Sequence, residues 1–114
     1  MKEFRINMND EPGALADHCD AIAEAGVNIL AIVAISGDSA SAAVLTDNPD
    51  ATIDALDAMG ADYSMAELRS TKLEHKPGSL ASFTRGMGNS GVNLNSLYVM
   101  SIDGDSATIG YTTD

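Results

Sequence analysis

The sequence contains an internal repeat, and a repeat constrains a fold more strongly than any single motif does. A Pro-Gly motif, a Gly-Val-Asn motif and a Gly-Asp-Ser-Ala motif each occur twice, in the same order along the chain. The first two motifs return 65 positions later and the third returns 67 positions later, so the second copy has gained two residues. The paired segments are residues 10–16 and 75–81, 26–29 and 91–94, and 37–40 and 104–107.

The first copy, residues 1–68, has the pattern of a complete small sandwich. Phe4, Ile6 and Met8 alternate with polar residues, as in a strand with one buried face. Apolar residues then recur at helical spacing as far as Gly26, a residue suited to end a helix. Two apolar strands follow, then a helix that begins near Pro49 and a closing strand at residues 62–67. The order βαββαβ predicts a ferredoxin-like α+β fold, with two helices on one face of an antiparallel sheet.

The second copy, residues 69–114, is predicted to be an incomplete βαββ module. We expect a strand near 69–75, a helix over 77–89 and strands at 94–102 and 107–112. The second helix and the last strand are missing, since Asp114 matches the residue that precedes the second helix of copy one. That helix is expected to bury Ile53, Leu56 and Met59, each worth about 1.5–3 kcal/mol. We therefore expect another module or subunit to cover the bare helix layer of copy two.

Charge and composition restrict the function further. The 114 residues carry a net charge of −11, which argues against binding to nucleic acid or an anionic membrane. All of the excess acid lies in residues 1–68, whereas residues 69–114 are neutral, so a salt-adapted host would explain only the first half. No apolar run reaches the ~18 residues of a membrane span, and the N-terminus lacks an apolar signal core. We expect a cytoplasmic protein.

Little in the sequence suggests a catalytic or metal site. Cys19 is the single cysteine, so no internal disulfide or cysteine-rich metal site can form. His18 lies beside it but points about 100° away on a helix, so Cys19 is interpreted as a packing residue. No nucleophile elbow or P-loop is present, and Tyr63, Tyr98 and Tyr111 do not form the aromatic platform of an RNA-binding sheet. We expect no enzymatic activity, no metal and no cofactor.

The repeated pattern resembles the ACT domain family, in which P-G-x-L-A opens the first helix and G-V-N-I or G-V-N-L follows it. The resemblance covers residues 1–68 and the first two-thirds of a second copy, and it is closest to stand-alone tandem ACT proteins that lack a catalytic domain. It implies a regulatory module with copies set side by side, as a homodimer or higher homo-oligomer. It also implies a small amino-acid effector at the seam between modules and an enzyme of amino-acid metabolism as the regulated partner.

The Pro-Gly turns carry the predicted binding site. Gly13 and Gly78 place no side chain between the backbone and a ligand, and the first amides of the following helix suit an α-carboxylate. Asp10 offers an acceptor for an ammonium group, and Asn28 offers an amide. The resemblance implies contacts to the effector at Asp10 and Asn28 and at their counterparts His75 and Asn93. The full candidate set is Asp10, Glu11, Pro12, Gly13, Ala14, Leu15, Asn28, Ile29, His75, Lys76, Pro77, Gly78, Ser79, Leu80, Asn93 and Leu94.

A second interpretation of the same residues stays open. In a ligand-free assembly module, Gly13 and Gly78 would only shape tight turns, while Asn28 and Asn93 would only hydrogen-bond locally at strand starts. The position two before the proline is often asparagine in serine-binding relatives, whereas here it is an aspartate in one copy and a histidine in the other. The two turns therefore differ in charge, and the sequence does not name the effector.

Overall fold

The computed structural model describes residues 1–114, which form two compact units, Met1–Ala66 and Glu67–Asp114. Two antiparallel sheets and three helices give the chain the α+β class that the sequence predicts. None of the helices has the length and hydropathy of a membrane span. The elements in chain order are β1 (Lys2–Met8), α1 (Ala14–Glu24), β2 (Ile29–Ser36), β3 (Ala40–Thr46), α2 (Pro49–Ala58), β4 (Asp62–Glu67), β5 (Arg69–Glu74), α3 (Ser79–Asn89), β6 (Leu94–Asp103) and β7 (Ser106–Thr113).

The sheet of the first unit has the strand order β2-β3-β1-β4. On one side of β3, Met8 of β1 is opposite Ala40. On the other side, Ser36 of β2 is opposite the same Ala40. The carboxyl ends of β1 and β2 therefore lie at one end of the sheet, and the start of β2 lies at the other.

The core of the first unit lies between this sheet and its two helices. Phe4 and Leu56 are fully buried and belong to one cluster with Ile22, so β1, α2 and α1 all contribute to it. The ring of Tyr63 packs with its centroid 6.1 Å from that of Phe4. The βαββαβ order predicted for residues 1–68 is confirmed, because all six elements appear in that order.

The sheet of the second unit has three strands in the order β5-β7-β6. Its buried apolar side chains are few, namely Leu68, Ala107 and Ile109, and α3 contributes no buried residue. The helix contacts the sheet through Phe83, whose ring meets that of Tyr111 edge-on at 5.2 Å. One helix therefore lies on this sheet, whereas two lie on the sheet of the first unit.

Three details differ from the sequence expectations. The helices begin at Ala14 and Ser79, two residues after the prolines, because Gly13 and Gly78 are their N-cap residues and the prolines precede them. Met59, expected on the buried face of α2, is 36% exposed because it caps the end of that helix. Glu3 lies on the polar face of β1 and is nevertheless fully buried, with its Oε1 2.7 Å from Arg5 Nε.

Candidate functional site

The first Pro-Gly turn links β1 to α1 and depends on a glycine. Gly13 has φ 88° and ψ −12°, a left-handed conformation that costs other residues about 1–2 kcal/mol. The N–H of Ala14 donates to the Glu11 carbonyl at 3.2 Å, and the first helical bond joins the Asp17 N–H to the Gly13 carbonyl at 2.9 Å. No side chain caps the helix, so the two amides that follow Ala14 in the first turn remain available to an acceptor from outside.

A cleft of about 190 Å³ lies beside this first turn. One wall is formed by Asp10, Glu11 and Leu15, and the other by residues 34–36 at the end of β2. Its volume is about six times the ~30 Å³ share of one water molecule in the liquid, which suits a ligand of a few heavy atoms. Both ionisable groups of the wall are acidic, so the cleft favours an ammonium group over a free carboxylate.

The second Pro-Gly turn repeats this geometry between β5 and α3. Gly78 has φ 92° and ψ −16°, no side chain caps α3, and the Ser79 N–H donates to the Lys76 carbonyl at 3.3 Å. The adjoining cleft is lined by Lys76, Ser79, Ser82 and Phe83 among others. The second cleft therefore has a cation and hydroxyl groups beside one acid, Glu74, whereas the first cleft has two acids and no cation.

Lys76 and His75, next to the second turn, each make one contact within the second unit. Lys76 Nζ lies 2.7 Å from Glu74 Oε2, but both side chains are mostly exposed, so the pair is weak and its lysine can be drawn away by a ligand. The backbone N–H of His75 donates to the Asp105 carbonyl at 2.7 Å, which fixes the start of the turn while the His75 side chain stays exposed.

The asparagines of the candidate set lie far from these turns. Ile29, next to Asn28, is opposite Thr46 in the ladder, whereas Met8 at the first turn is opposite Ala40. Six residues of β3 separate the two levels, which is about 20 Å at ~3.4 Å per residue. One unit therefore does not bring Asp10 and Asn28 to a common ligand. The separation in the second unit is one residue longer, since Glu74 is opposite Ser106 and Leu94 is opposite Thr113.

Each of these asparagines is held by an aspartate. The Asn28 N–H donates to Asp47 Oδ1 at 3.0 Å, and the Asp47 N–H donates to the Asn28 carbonyl at 3.1 Å. In the second unit the donor is the side chain, since Asn93 Nδ2 donates to Asp114 Oδ2 at 3.1 Å. Hydrogen bonds from Asn95 and Asn93 hold the pKa of the Asp114 carboxyl below its usual value, so this group is ionised at neutral pH.

The remaining candidate residues could contact a ligand only through an apolar side chain or through their backbone. Leu15 and Leu80, one residue into each helix, are 38% and 39% exposed, so each presents an apolar surface beside its turn. Ile29 is half-buried and packs against the core of the first unit. The others keep partial or full exposure: Pro12 and Pro77 are exposed, and Ala14 and Leu94 are half-buried.

Sequence reasoning missed a cleft at the Asn93 end of the second unit. Arg69, Tyr111 and Asp114 line it together with Asn93. The signal was present in the repeat, because Arg69 occupies the position of Phe4, 65 residues earlier. Copy two therefore has a cation at the position where copy one has the fully buried ring of Phe4.

Comparisons with known proteins support the fold. No protein-family model matches the sequence, and no curated protein matches it either. Among solved structures, protein BT0572 from Bacteroides thetaiotaomicron is similar at a TM-score of 0.85 and 17% identity, over 99% of this chain and 78% of that one. The ligand-free regulatory subunit of aspartate kinase from Thermus thermophilus is similar at a TM-score of 0.69 and 17% identity, over 97% of this chain and 81% of that one.

A third similar structure is a putative glycine cleavage system transcriptional repressor, at a TM-score of 0.50 and 16% identity, over 98% of this chain and 78% of that one. At such identities the likeness concerns the fold, and it extends over nearly the whole of this chain. The fold is that of the ACT domain, as the repeated motif predicts.

Proposed function

We propose that this chain is a non-catalytic regulatory protein that binds a small amino-acid effector at the seam between ACT modules. One observation carries the proposal. The Pro-Gly turns at Gly13 and Gly78 are both left-handed and uncapped, and beyond the adjoining residues no protein atom lies within 4 Å of the position that a Cβ would occupy. Backbone amides at the start of a helix, reached through open space, are suited to a carboxylate. A regulatory role fits the similarity to a regulatory subunit and to a putative repressor.

We propose residues 1–68 as the first ACT domain and residues 69–114 as part of a second one, to which they contribute the first strand, the first helix and the next two strands. In support, the central strand β7 lies between β5 and β6 as β3 lies between β1 and β2. Helices α1 and α3 also correspond, since each begins one residue after a left-handed glycine in the repeated Pro-Gly motif. The division into compact units after Ala66 is close to this boundary.

The chemistry of the two turns suggests how the effector is oriented. At the first turn the carboxylate would take the amides of α1, while Asp10 would accept from the ammonium group. At the second turn Lys76 adds a positive charge for the carboxylate, and His75 replaces the acid. Because Asn28 and Asn93 lie at the opposite end of their own sheets, an asparagine that reaches the same effector would come from a neighbouring module. This requirement favours a site at a seam.

The proposed assembly is a homodimer or higher homo-oligomer, with an enzyme of amino-acid metabolism as the regulated partner. Strand β2 supports the homodimer, because it is an edge strand of eight residues without a charged side chain. Natural edge strands are usually protected by charge, proline or a bulge against pairing with another chain. The register of β2 is irregular between Ile29 and Ala31, but the rest of the strand, residues 31–36, is regular and uncharged, which favours pairing with a second copy.

A thermal-shift screen of the protein against the twenty amino acids, each at millimolar concentration, tests the proposal. A ligand at 100 times its Kd adds about 2.7 kcal/mol, and in a small domain each kcal/mol raises the Tm by about 4–8 °C. We expect a clear rise with at least one amino acid. No rise with any of them would contradict effector binding.

The second candidate is a ligand-free assembly module, and the exposure of β2 is the observation that favours it. Ile32, Val33 and Ile35 are 43%, 44% and 70% exposed, so the strand offers apolar contacts on both of its faces as well as a free edge. This candidate predicts dimers that form without any amino acid and do not change when amino acids are added. Sedimentation with and without the full amino-acid mixture separates it from the effector hypothesis.

A further inference from the structure

A cleft of about 300 Å³ lies in the first unit, where α1 begins and α2 ends. The residues that line it include Met8 of β1, His18 of α1 and Met59, the C-cap of α2. Met8 and His18 are half-buried, and Met59 is 36% exposed. Two residues with a thioether and one with an imidazole, each from a different element, therefore border one concave surface.

The ring of His18 is held in the tautomer that a metal ligand needs. Its Nδ1 lies 2.7 Å from the carbonyl oxygen of Ala14, one turn earlier in α1. Because a carbonyl oxygen can only accept, Nδ1 carries the proton, and in the neutral ring Nε2 carries the lone pair. Histidines that bind metals usually donate their other ring N–H to a carbonyl or a carboxylate in this way.

The charges around the cleft favour a cation. Glu11, Asp17 and Asp62 line it with exposed side chains, and no lysine or arginine is among its residues. The end of α2 borders it as well, and the last turn of that helix contains no basic residue. Because a helix carries partial negative charge at its C-terminal end, this end attracts a cation together with the carboxylates.

The repeat allows this cleft to be compared with its counterpart in the second unit. The equivalent positions, 65 residues later, line the cleft beside the second Pro-Gly turn and contain no thioether, carboxylate or imidazole. The residues Met8, Asp17 and His18 are replaced there by Leu73, Ser82 and Phe83. The donor groups therefore belong to the first unit and are not a requirement of the repeated fold.

We propose that this cleft binds Cu(I) through His18 Nε2 and the thioether sulfurs of Met8 and Met59. No three imidazole, thiol or carboxylate groups of the chain are placed to hold a metal ion together, so thioethers have to supply the other ligands. Thioethers select Cu(I) over hard cations such as Mg²⁺ and Ca²⁺. Methionine is unbranched and has three rotatable bonds, so both sulfurs can turn towards the imidazole. The sequence predicts no metal, because Met8 and Met59 come near His18 only through the fold.

Titration with Cu(I) under anaerobic conditions tests the inference, followed by NMR of the protein labelled with ¹³C at the methionine methyl groups. We expect a stoichiometric amount of Cu(I) to shift the methyl signals of Met8 and Met59. The signal of Met65 should stay in place. Met65 is the internal control, because it is 43% exposed and does not line the cleft.

The repeat also supplies the variants. Met8→Leu and His18→Phe introduce the residues that the second unit has at these positions. Each should weaken Cu(I) binding at least about tenfold in competition with a chromophoric Cu(I) chelator. Met65→Leu and His75→Phe are the matched controls and should leave the Kd unchanged. A thermal melt without metal checks that each variant folds, and His18→Gln takes the place of His18→Phe if the latter does not.

Cys19 requires a separate control, because its half-buried thiol follows His18 in α1 and could bind Cu(I) by itself. The titration is therefore repeated with Cys19→Ala, in which we expect binding to survive. Loss of binding in Cys19→Ala, or full affinity in Met8→Leu and the His18 variant, overturns the inference. Absence of Cu(I) binding overturns it as well. The proposed function would still stand, since the amino-acid screen is run in metal-free buffer.

Discussion

The hydroxyl groups of Thr46 and Thr52 lie 2.8 Å apart in the interior of the first unit. Thr52 donates its own proton to the Asn48 carbonyl at 2.8 Å, so Thr46 is the donor to Thr52. Both side chains are buried, at 5% and 0% exposure. The chain of two hydrogen bonds therefore ties the last residue of β3 to the first turn of α2.

Thr52→Val is expected to destabilise the protein by about 1–3 kcal/mol, because it leaves the buried Thr46 hydroxyl without its acceptor. The Asn48 carbonyl loses one of two bonds and keeps the one from the N–H of residue 52 at 3.1 Å. The Tm should fall by about 4–8 °C for each kcal/mol. A thermal melt followed by circular dichroism measures the loss.

Thr84→Val on α3 is the control for this variant. Thr84 also bonds a carbonyl one turn earlier, Leu80 at 3.0 Å, but this bond is exposed to water, which can replace it. We expect the control to cost less than about 0.5 kcal/mol. Equal losses in the two variants would show that the buried pair does not hold α2 to the sheet.

The order of elements could be predicted from the sequence because its signals are local. Gly26 ends α1 with φ 75°, and Asn48 caps α2 by accepting from the Ala51 N–H at 3.1 Å. Both depend only on neighbouring residues and on the turn that they form. The start of α3 was predicted two residues too early, at residue 77 and not at Ser79, because a proline at position N1 and a proline just before a glycine N-cap look alike in sequence.

The candidate site was only partly predictable, because some of its residues are far apart along the chain and their positions in space depend on the fold. The turn at Gly13 is a local structure and could be located, but the idea that Asp10 and Asn28 share one ligand ignored the path of the chain. A helix that follows a strand returns the chain, so β2 starts at the end of the sheet opposite to the end of β1. The cleft beside Arg69 was missed because strand alternation assigns a face to a residue but does not say what covers that face.

Tyr63 is expected to ionise above its ordinary pKa of 10.0. Its hydroxyl donates to Asp57 Oδ1 at 2.6 Å, and this hydrogen bond is the main cause of the raised pKa, followed by burial and the charges of Asp57 and Asp54. Since the folded state holds the proton more tightly, the stabilisation is complete below pH 10 and is lost as the pH rises through the raised pKa. An NMR titration with tyrosine labelled at Cζ measures the shift.

Asp57→Asn should return the pKa of Tyr63 towards 10.0, because it removes both the charged acceptor and the largest nearby charge. Asp54→Asn removes only a more distant charge and should lower the pKa by less. A larger effect of Asp54→Asn, or an ordinary pKa in the unmodified protein, would contradict the assignment.

Gly13→Ala should weaken effector binding by more than its cost in stability explains. A methyl group at this position meets no protein atom within 4 Å, so it projects into the open space beside the turn. The left-handed backbone adds a strain of about 1 kcal/mol whatever the ligand does. Gly26→Ala carries the same kind of strain, at φ 75° and also in open space, but lies at the other end of α1. Both variants are titrated with the effector found in the thermal screen. Gly26→Ala reports the effect of backbone strain alone, and Gly13→Ala reports strain together with obstruction of the turn. Equal Kd values for the two variants would place the effector away from the turn.

Val33→Lys should convert a dimer of this protein into a monomer. Val33 is in the middle of the edge strand β2, and in an antiparallel pair related by a two-fold axis the middle residues of both copies face each other. Two lysines would then lie opposite one another and repel. Val99→Lys is the matched control, since Val99 is in the middle of β6, the edge of the other sheet, and has a similar exposure of 50% against 44%.

Sedimentation equilibrium at low micromolar concentration distinguishes the outcomes. We expect the unmodified protein and Val99→Lys to be dimers and Val33→Lys to be a monomer. An equimolar mixture of Val33→Lys and Val33→Glu should recover a dimer, because the opposed charges then attract, and a merely misfolded variant would show no such recovery. Dissociation by Val99→Lys alone would move the contact from β2 to β6, and a monomeric unmodified protein would remove β2 pairing altogether. Some other feature would then have to protect this uncharged eight-residue edge strand from pairing with other chains.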